Sequence, residues 1–335
     1  MAGFGPQIAP CPAAGRGEAL EVLYRRVPEA LRYRLIVEVL DEANRGEIDL
    51  SGLWAARERT GRIVGALLTQ PLAGKAAAVW APEVLPSWRR PSLAAGLIQA
   101  ALADLKARGF LLAQAVLDES AGFRAARDLK RGGMPPITEL LYLERDTSLP
   151  LVIDRTEFAG RVCAVGPRDN RTSSSFEWWP FEPALESEFR AVLQATYAGS
   201  LDMPELEGTR SLDDILESHR AAGRFVAERW QLGRIPGKPE EASVLLMAEV
   251  PARDIWEVVY LGLTPAARGR GLGRDVLQHA IELARGHVSR LELAVDCRNI
   301  PAARLYQSAG FIARDRRTVH LAILGEPEEI FRMPI

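Results

Sequence analysis

Residues 268–273 read Arg-Gly-Arg-Gly-Leu-Gly and lie between an apolar run, 255–263, and a long helical pattern, 275–285. A glycine-rich turn that opens a helix collects unpaired backbone N–H groups beside the positive end of the helix dipole. Such a turn binds phosphate, and its glycines let a ligand approach the main chain closely. Flanking arginines add charge-assisted donors, which suits a diphosphate better than a neutral ligand. The spacing narrows the choice of nucleotide. A dinucleotide fingerprint needs G-x-G-x-x-G, yet its last position falls on Arg274 counting from Gly269 and on Val276 counting from Gly271. A Walker A loop needs Gly-Lys-Ser/Thr, which is absent here. What remains is R-x-x-G-x-G, with Arg268, Gly271 and Gly273 at the fixed positions.

The elements that must hold this turn follow from the hydrophobic periodicity. From 255 the pattern runs strand, glycine turn, helix, strand, helix, strand. Leu272, Val276, Ala280 and Leu283 recur at helical spacing and form one buried stripe. Leu291, Leu293 and Val295 alternate with Glu292, Ala294 and Asp296, as in a half-buried strand. Asn299 and Pro301 open a short helix, Gly310 closes it, and 318–324 is the last strand. Upstream, 176–181 is aromatic and strand-like, 186–197 and 211–222 are helical, and 225–232 pairs with 243–250 across a turn-rich linker.

The turn resembles the acyl-CoA diphosphate loop of the GNAT N-acetyltransferase superfamily. A second stretch, Asn299-Ile-Pro-Ala-Ala-Arg-Leu-Tyr306-Gln-Ser-Ala-Gly310-Phe311, is similar to that superfamily's N-x-x-A-x-x-x-Y-x-x-x-G-F hallmark at each fixed position. The resemblance covers 176–324 and is strongest over 255–311. It implies acetyl-CoA as co-substrate; the scattered cysteines and histidines, without metal-ligand spacing, lead to no metal being expected. It also implies a strand that splays from its neighbour, so that backbone N–H groups at Leu261, Gly262 and Leu263 meet the pantetheine and polarise the thioester. The loop Arg268, Gly269, Arg270, Gly271, Leu272, Gly273 and Arg274 would hold the diphosphate, and Asn299 the pantetheine arm. Tyr306 would protonate the departing thiolate, since a phenol of ordinary pKa near 10 is still protonated at neutral pH. Glu257, on the strand parity of Val259, Leu261 and Leu263, would deprotonate the amine, with Glu249 or a water chain as substitutes. Asp202 and Glu205 lie in the region that lines the acceptor cleft in this superfamily; they would grip an ammonium group or simply cap a helix.

The first half echoes the second. Residues 84–94 align with 263–273 at a constant offset, each segment leading into an amphipathic helix and then a strand and a helix closed by Gly133-Met134 or Gly310-Phe311. Ser92 and Ala94 replace the two loop glycines, Pro91 replaces Arg270, and Leu129 stands in place of Tyr306. A leucine cannot protonate a thiolate, and proline lacks a backbone donor. The expected class is therefore α/β (α+β), with two tandem GNAT-like domains, each a mixed, mostly antiparallel sheet flanked by helices. The expected division is a flexible tail at 1–18, a degenerate domain at 19–150 and a catalytic domain at 151–335. This tandem layout is similar to that of mycothiol synthases.

Composition bounds the rest. The chain has 335 residues, 47% hydrophobic and 26% charged, which fits two globular domains. A net charge of −2 gives no basic footprint for nucleic acid. No apolar run is long enough to span a membrane. Cys11, Cys163 and Cys297 are far apart and odd in number, which suits a reducing cytoplasm. The expected activity is acetyl transfer to the primary amine of a small molecule, by a monomer or homodimer. Acetylation of a protein N-terminus or lysine, or a non-catalytic acyl-CoA-sensing role, are the alternatives.

Overall fold

The computed structural model describes residues 6–150 and 175–325; Cys163 lies outside them. The first half forms β1 (Gln7–Pro10), α1 (Arg16–Leu23), α2 (Glu29–Asn44), β2 (Leu53–Arg57), β3 (Ile63–Leu72), β4 (Ala76–Val79), β5 (Glu83–Val84), α3 (Arg90–Ala107), β6 (Leu112–Leu117), α4 (Gly122–Gly132) and β7 (Pro136–Asp146). The second half forms β8 (Glu177–Pro180), α5 (Glu186–Tyr197), α6 (Leu212–Arg220), β9 (Trp230–Ile235) and β10 (Lys238–Val250). It continues with β11 (Ile255–Leu263), α7 (Leu272–Ala284), β12 (Arg290–Asp296), α8 (Ile300–Ser308) and β13 (Ile312–Ile323).

Two compact units result, and neither is a continuous stretch of chain. The first takes residues up to Thr138 together with Gly208–Asp214 and the segment from Arg317. Its strands lie in the order β1-β2-β3-β4-β6 and then residues 317–323 of β13, with β5 beside β3. Only β4 and β6 run parallel. The second unit holds residues 139–146 of β7 and then β12-β11-β10-β9-β8, antiparallel except for β11 and β12.

Two expected boundaries are corrected here. Residues 6–18 of the expected 1–18 tail are not loose: β1 pairs with β2 from Gln7↔Arg57 to Pro10↔Trp54, and Cys11 is buried. Proline is tolerated on an edge strand, where its missing donor costs no ladder bond, so the Pro- and Ala-rich composition misled. A single cut near 150 also fails, because 139–146 pairs with β12 while 317–323 pairs with β6. A strand joins whichever ladder satisfies its backbone groups, and chain order does not choose between two similar sheets.

The first unit is packed by Trp54, Leu67, Leu97, Ile98 and Leu129, joined by Ala322 and Leu324. Leu129 is fully buried. Arg90 opens α3 and is spent on a buried, two-pronged ion pair with Asp128 of α4. Arg89 stacks on the exposed Trp88 beside a cavity of about 420 Å³. The second unit packs α7 and α8 on one sheet face through Val276, Leu277, Ile281, Leu291 and Tyr306. On the other face α5 buries Phe189 and Leu193, with Phe189 stacked on Trp230.

Candidate active site

The site is built around β11, whose run of β-branched and aromatic residues suits a half-buried strand. Its parallel pairing with β12 extends from Ile255↔Arg290 to Val258↔Leu293 and stops there, although β12 continues to Asp296 and β11 to Leu263. On its other edge β11 stays paired with β10 as far as Ser243↔Leu263. Beyond Val258 one backbone edge of β11 therefore has no strand partner among the described residues, which leaves a strip open to an extended ligand.

That outer ladder contains a bulge. Leu246 faces Tyr260 and Met247 faces Val258, so Val259 is the extra residue. The bulge changes which side chains share a face, and this corrects the parity expected for Glu257. Trp256, Val258, Leu261 and Leu263 all pack on the α7 side. Tyr260 and Gly262 turn to α5 instead. The Tyr260 hydroxyl lies 3.0 Å from Thr196 Oγ1, and a Cβ on Gly262 would stand 2.7 Å from that threonine's side chain. Glu257 thus shares its face with Tyr260 and Gly262.

Thr264 fixes the exit from β11, accepting from the Ala242 N–H at 3.1 Å and donating to the Glu240 carbonyl at 2.7 Å. The glycine turn follows. Gly269 and Gly271 have φ of +71° and +79°, and a Cβ on either would meet nothing within 4 Å. These glycines are required by backbone conformation, and the space before them is open. Gly271 caps α7 without a side-chain bond, so first-turn N–H groups at Leu272 and Gly273 have no intrahelical acceptor. Gly273 serves packing instead: its Cβ would lie 3.2 Å from Leu305 of α8.

The loop arginines behave differently from expectation. Arg268 turns its guanidinium back onto the end of α5, donating to the carbonyls of Thr196 and Ala198 at 2.7 Å each and to Leu263 at 3.1 Å. It caps that helix rather than reaching out to an anion. Arg270 pairs with Glu241 of β10. Arg274 stands on the first turn of α7. An anion at this turn would thus meet backbone donors and the helix dipole more than Arg268 and Arg270.

Asn299 caps α8, its side-chain oxygen accepting from Ala302 N–H at 3.3 Å. The far end of α8 explains the spacing of the hallmark. Phe311 N–H donates to the Tyr306 carbonyl at 3.0 Å and Gly310 N–H to that of Gln307 at 3.0 Å, with Gly310 at φ +85°. This is a Schellman cap, and its usual apolar contact is made by the Tyr306 and Phe311 rings at 6.0 Å. The tyrosine is thereby held at both backbone and ring. Met134 and Gly133 close α4 onto Leu129 and Lys130 by the same pair of bonds. Burial pushes the Tyr306 phenol well above its ordinary range, and the negative charge of Asp202 and then Tyr260 add to the effect. The Tyr260 phenol is itself pushed up to about 12, chiefly by burial.

Asp202 and Glu205 are both engaged within the protein. Asp202 accepts from Asp296 N–H at 2.9 Å and is hydrogen-bonded by Asn299; partial removal from water raises its carboxyl. Glu205 is gripped by Arg298 through bonds of 2.6 and 2.9 Å, and Arg298 also binds the fully buried Asp296. These carboxylates lock the loop after α5 to the start of α8, so Glu205 has no free charge for a ligand. Glu257 has a raised pKa because of burial, then of Glu292, its ladder partner, with Arg253 opposing. The charges that act on it are not those that act on Tyr306.

Sequence reasoning missed an aromatic group on the α5 side. The Tyr197 hydroxyl lies 2.8 Å from His219 Nε2, and the Tyr260 ring stands 5.0 Å from Tyr197 and 5.6 Å from His219. No motif contains these positions; only a helical period bringing 197 and 219 to facing helix ends hinted at them.

The sequence profile of the acetyltransferase (GNAT) family matches residues 200–311, the stretch that holds the parted strands, the glycine turn and Tyr306. Residues 200–311 thus carry a GNAT acetyltransferase family domain. Several relatives are named acetyltransferases. A mycothiol acetyltransferase of Kineococcus radiotolerans is 34% identical over 143 residues, 39% of this chain and 41% of that protein, less than half its length. Another, from Mycobacterium marinum, is 28% identical over 268 residues, 74% of this chain and 75% of that one. The N-alpha-acetyltransferase RimI of Mycobacterium tuberculosis is 45% identical over 56 residues, 17% of this chain and 34% of that protein. Among solved structures, a GCN5-related N-acetyltransferase from Sphaerobacter thermophilus shares the fold over 96% of both chains, with a TM-score of 0.55 at 17% identity. The GNAT architecture therefore stands: mixed α/β, a mostly antiparallel sheet and flanking helices.

Proposed function

We propose that the second unit transfers an acetyl group from acetyl-CoA to the primary amine of a small molecule by direct attack. The observation that carries this reading is the parting of β11 from β12 ahead of an open glycine turn, with Tyr306 buried within electrostatic reach of Tyr260 on the parted stretch. Backbone donors at Leu261, Gly262 and Leu263 meet the pantetheine and polarise the thioester, and the N–H groups from Gly269 to Gly273 take the diphosphate. Asn299 acts by opening α8 and holding Asp202, which positions Tyr306. Tyr306 protonates the thiolate as it leaves; its raised pKa keeps it protonated at every working pH.

The names of the relatives with long matches favour a small amine as acceptor. The short match to RimI favours a protein N-terminus as the second reading. One assay separates them: CoA release from acetyl-CoA with glucosamine, an amino-acid amide or a peptide with a free N-terminus. The expected result is turnover of a small amine and little of the peptide. Tyr306→Phe should lower kcat by about 10²-fold while sparing acetyl-CoA affinity. An unchanged kcat would remove Tyr306 from the chemistry.

A further inference from the structure

A bound amine is mostly ammonium at neutral pH and must lose a proton before it can attack. Few groups near the parted strands are able to take it. Tyr306, buried, and Tyr260, half-buried, are phenols held protonated, and the Tyr260 hydroxyl is tied to Thr196. Asp202 is bonded by Asp296 N–H and Asn299, and Glu205 is locked to Arg298. The Arg268 guanidinium is spent on the carbonyls that end α5. Glu257 lies three residues before Tyr260, about 10 Å back along the strand.

The remaining pair is the phenol–imidazole contact between the last residue of α5 and the end of α6. Tyr197 and His219 are both half-buried, hydrogen-bonded at 2.8 Å, and both lie against the Tyr260 ring. Tyr260 stands two residues past the point where β11 leaves β12. A tyrosine alone is too weak a base to accept a proton at neutral pH, but a tyrosine bonded to imidazole can pass one on, because imidazole has an ordinary pKa near neutrality.

We propose that Tyr197 and His219 form the proton-accepting arm of the acceptor site. The ammonium proton moves to the Tyr197 oxygen as the phenolic proton passes to His219 Nε2, leaving a neutral amine and an imidazolium. The amine forms its C–N bond to the thioester carbon and the C–S bond breaks. Tyr306 gives its proton to the thiolate and is restored by the surplus proton on the new amide nitrogen, while His219 returns its proton to solvent. Tyr197 is the catalytic residue of this arm, and His219 acts through it. Tyr260 faces both from β11 and feels Asp202 and Arg268 in turn.

This inference rests on acetyl transfer to an amine, and two measurements keep the claims apart. The first is the pH profile of kcat/KM for whichever panel amine is turned over fastest. His219→Gln should lose about 10²-fold at neutral pH, recover part of it where free amine is abundant, and lose the wild-type acidic limb, with the KM for acetyl-CoA unchanged. A uniform loss that leaves the acidic limb in place would reduce His219 to a structural tie and overturn the proposal. The second needs no substrate. NMR titration of the His219 ring should show protonation between about pH 5 and 8, shifted in Tyr197→Phe. A ring that keeps one protonation state across that range overturns the proposal, even if no panel amine reacts; failure of every amine instead counts against the transfer reading.

Discussion

At the scale of single residues, the hallmark spacing is a statement about helix termination. Tyr306, Gly310 and Phe311 are linked by the bonds that end α8, so the proposed proton donor is fixed by the same few atoms that stop its helix. That much is local and was legible in the sequence. The fates of Arg268 and Glu205 were not, because the partners that claim them are 72 and 93 residues away along the chain. Pairing over such separations is settled by packing, and a motif carries no record of it. Replacing Arg268 tests the role the structure gives it. Arg268→Ala removes charge-assisted bonds to the last carbonyls of α5 and should cost roughly 2 kcal/mol of stability by denaturant titration. Acetyl-CoA affinity should fall much less than for a loop-glycine variant. A selective loss of affinity at full stability would return Arg268 to the anion site.

At the scale of elements, periodicity located α5 and β11 to the residue and most others within a few positions. The bulge at Val259 escaped because it carries no glycine and leaves the apolar run unbroken, yet it decides that Tyr260 and Gly262 face α5. Elsewhere, α7 carries a pH-sensitive contact. His279 stacks on Trp178 of β8 with ring centroids 4.1 Å apart and an interplanar angle of 4°, and its buried Nε2 has no hydrogen-bond partner among the described residues. Burial lowers its pKa to about 4. The unfolded chain, with an ordinary imidazole, binds this proton more readily than the folded one. Stability from this site is thus complete above about pH 6.5 and is lost as pH falls through that window towards 4. His279→Phe should flatten the pH dependence of unfolding there, as read by denaturant titrations at several pH values. An unchanged slope would assign the acid sensitivity elsewhere.

For the whole molecule, duplication was legible in the constant offset between the halves, whereas the strand exchange was not. Residues 317–323 complete the first unit's sheet and 139–146 that of the second. A fragment of residues 1–150 therefore lacks its last strand and leaves β6 with an open edge. It should fail to give a cooperative unfolding transition by circular dichroism, and co-expression with residues 151–335 should restore one. A stable, cooperative 1–150 fragment would show that the exchange is dispensable.

Both units have a helix following the corresponding turn, but only in the second does that turn carry glycines, at positive φ over open space; in the first, Arg90 and Asp128 form a buried ion pair and Leu129 replaces the tyrosine. We propose that the chain has one working acyl-CoA loop, and calorimetric titration with acetyl-CoA tests this most directly. Wild-type protein should bind one equivalent per chain, and Gly271→Val, which forces a β-branched side chain to φ +79°, should abolish binding with the fold intact by circular dichroism. Unaltered binding by Gly271→Val, or a second equivalent that survives it, would contradict the account.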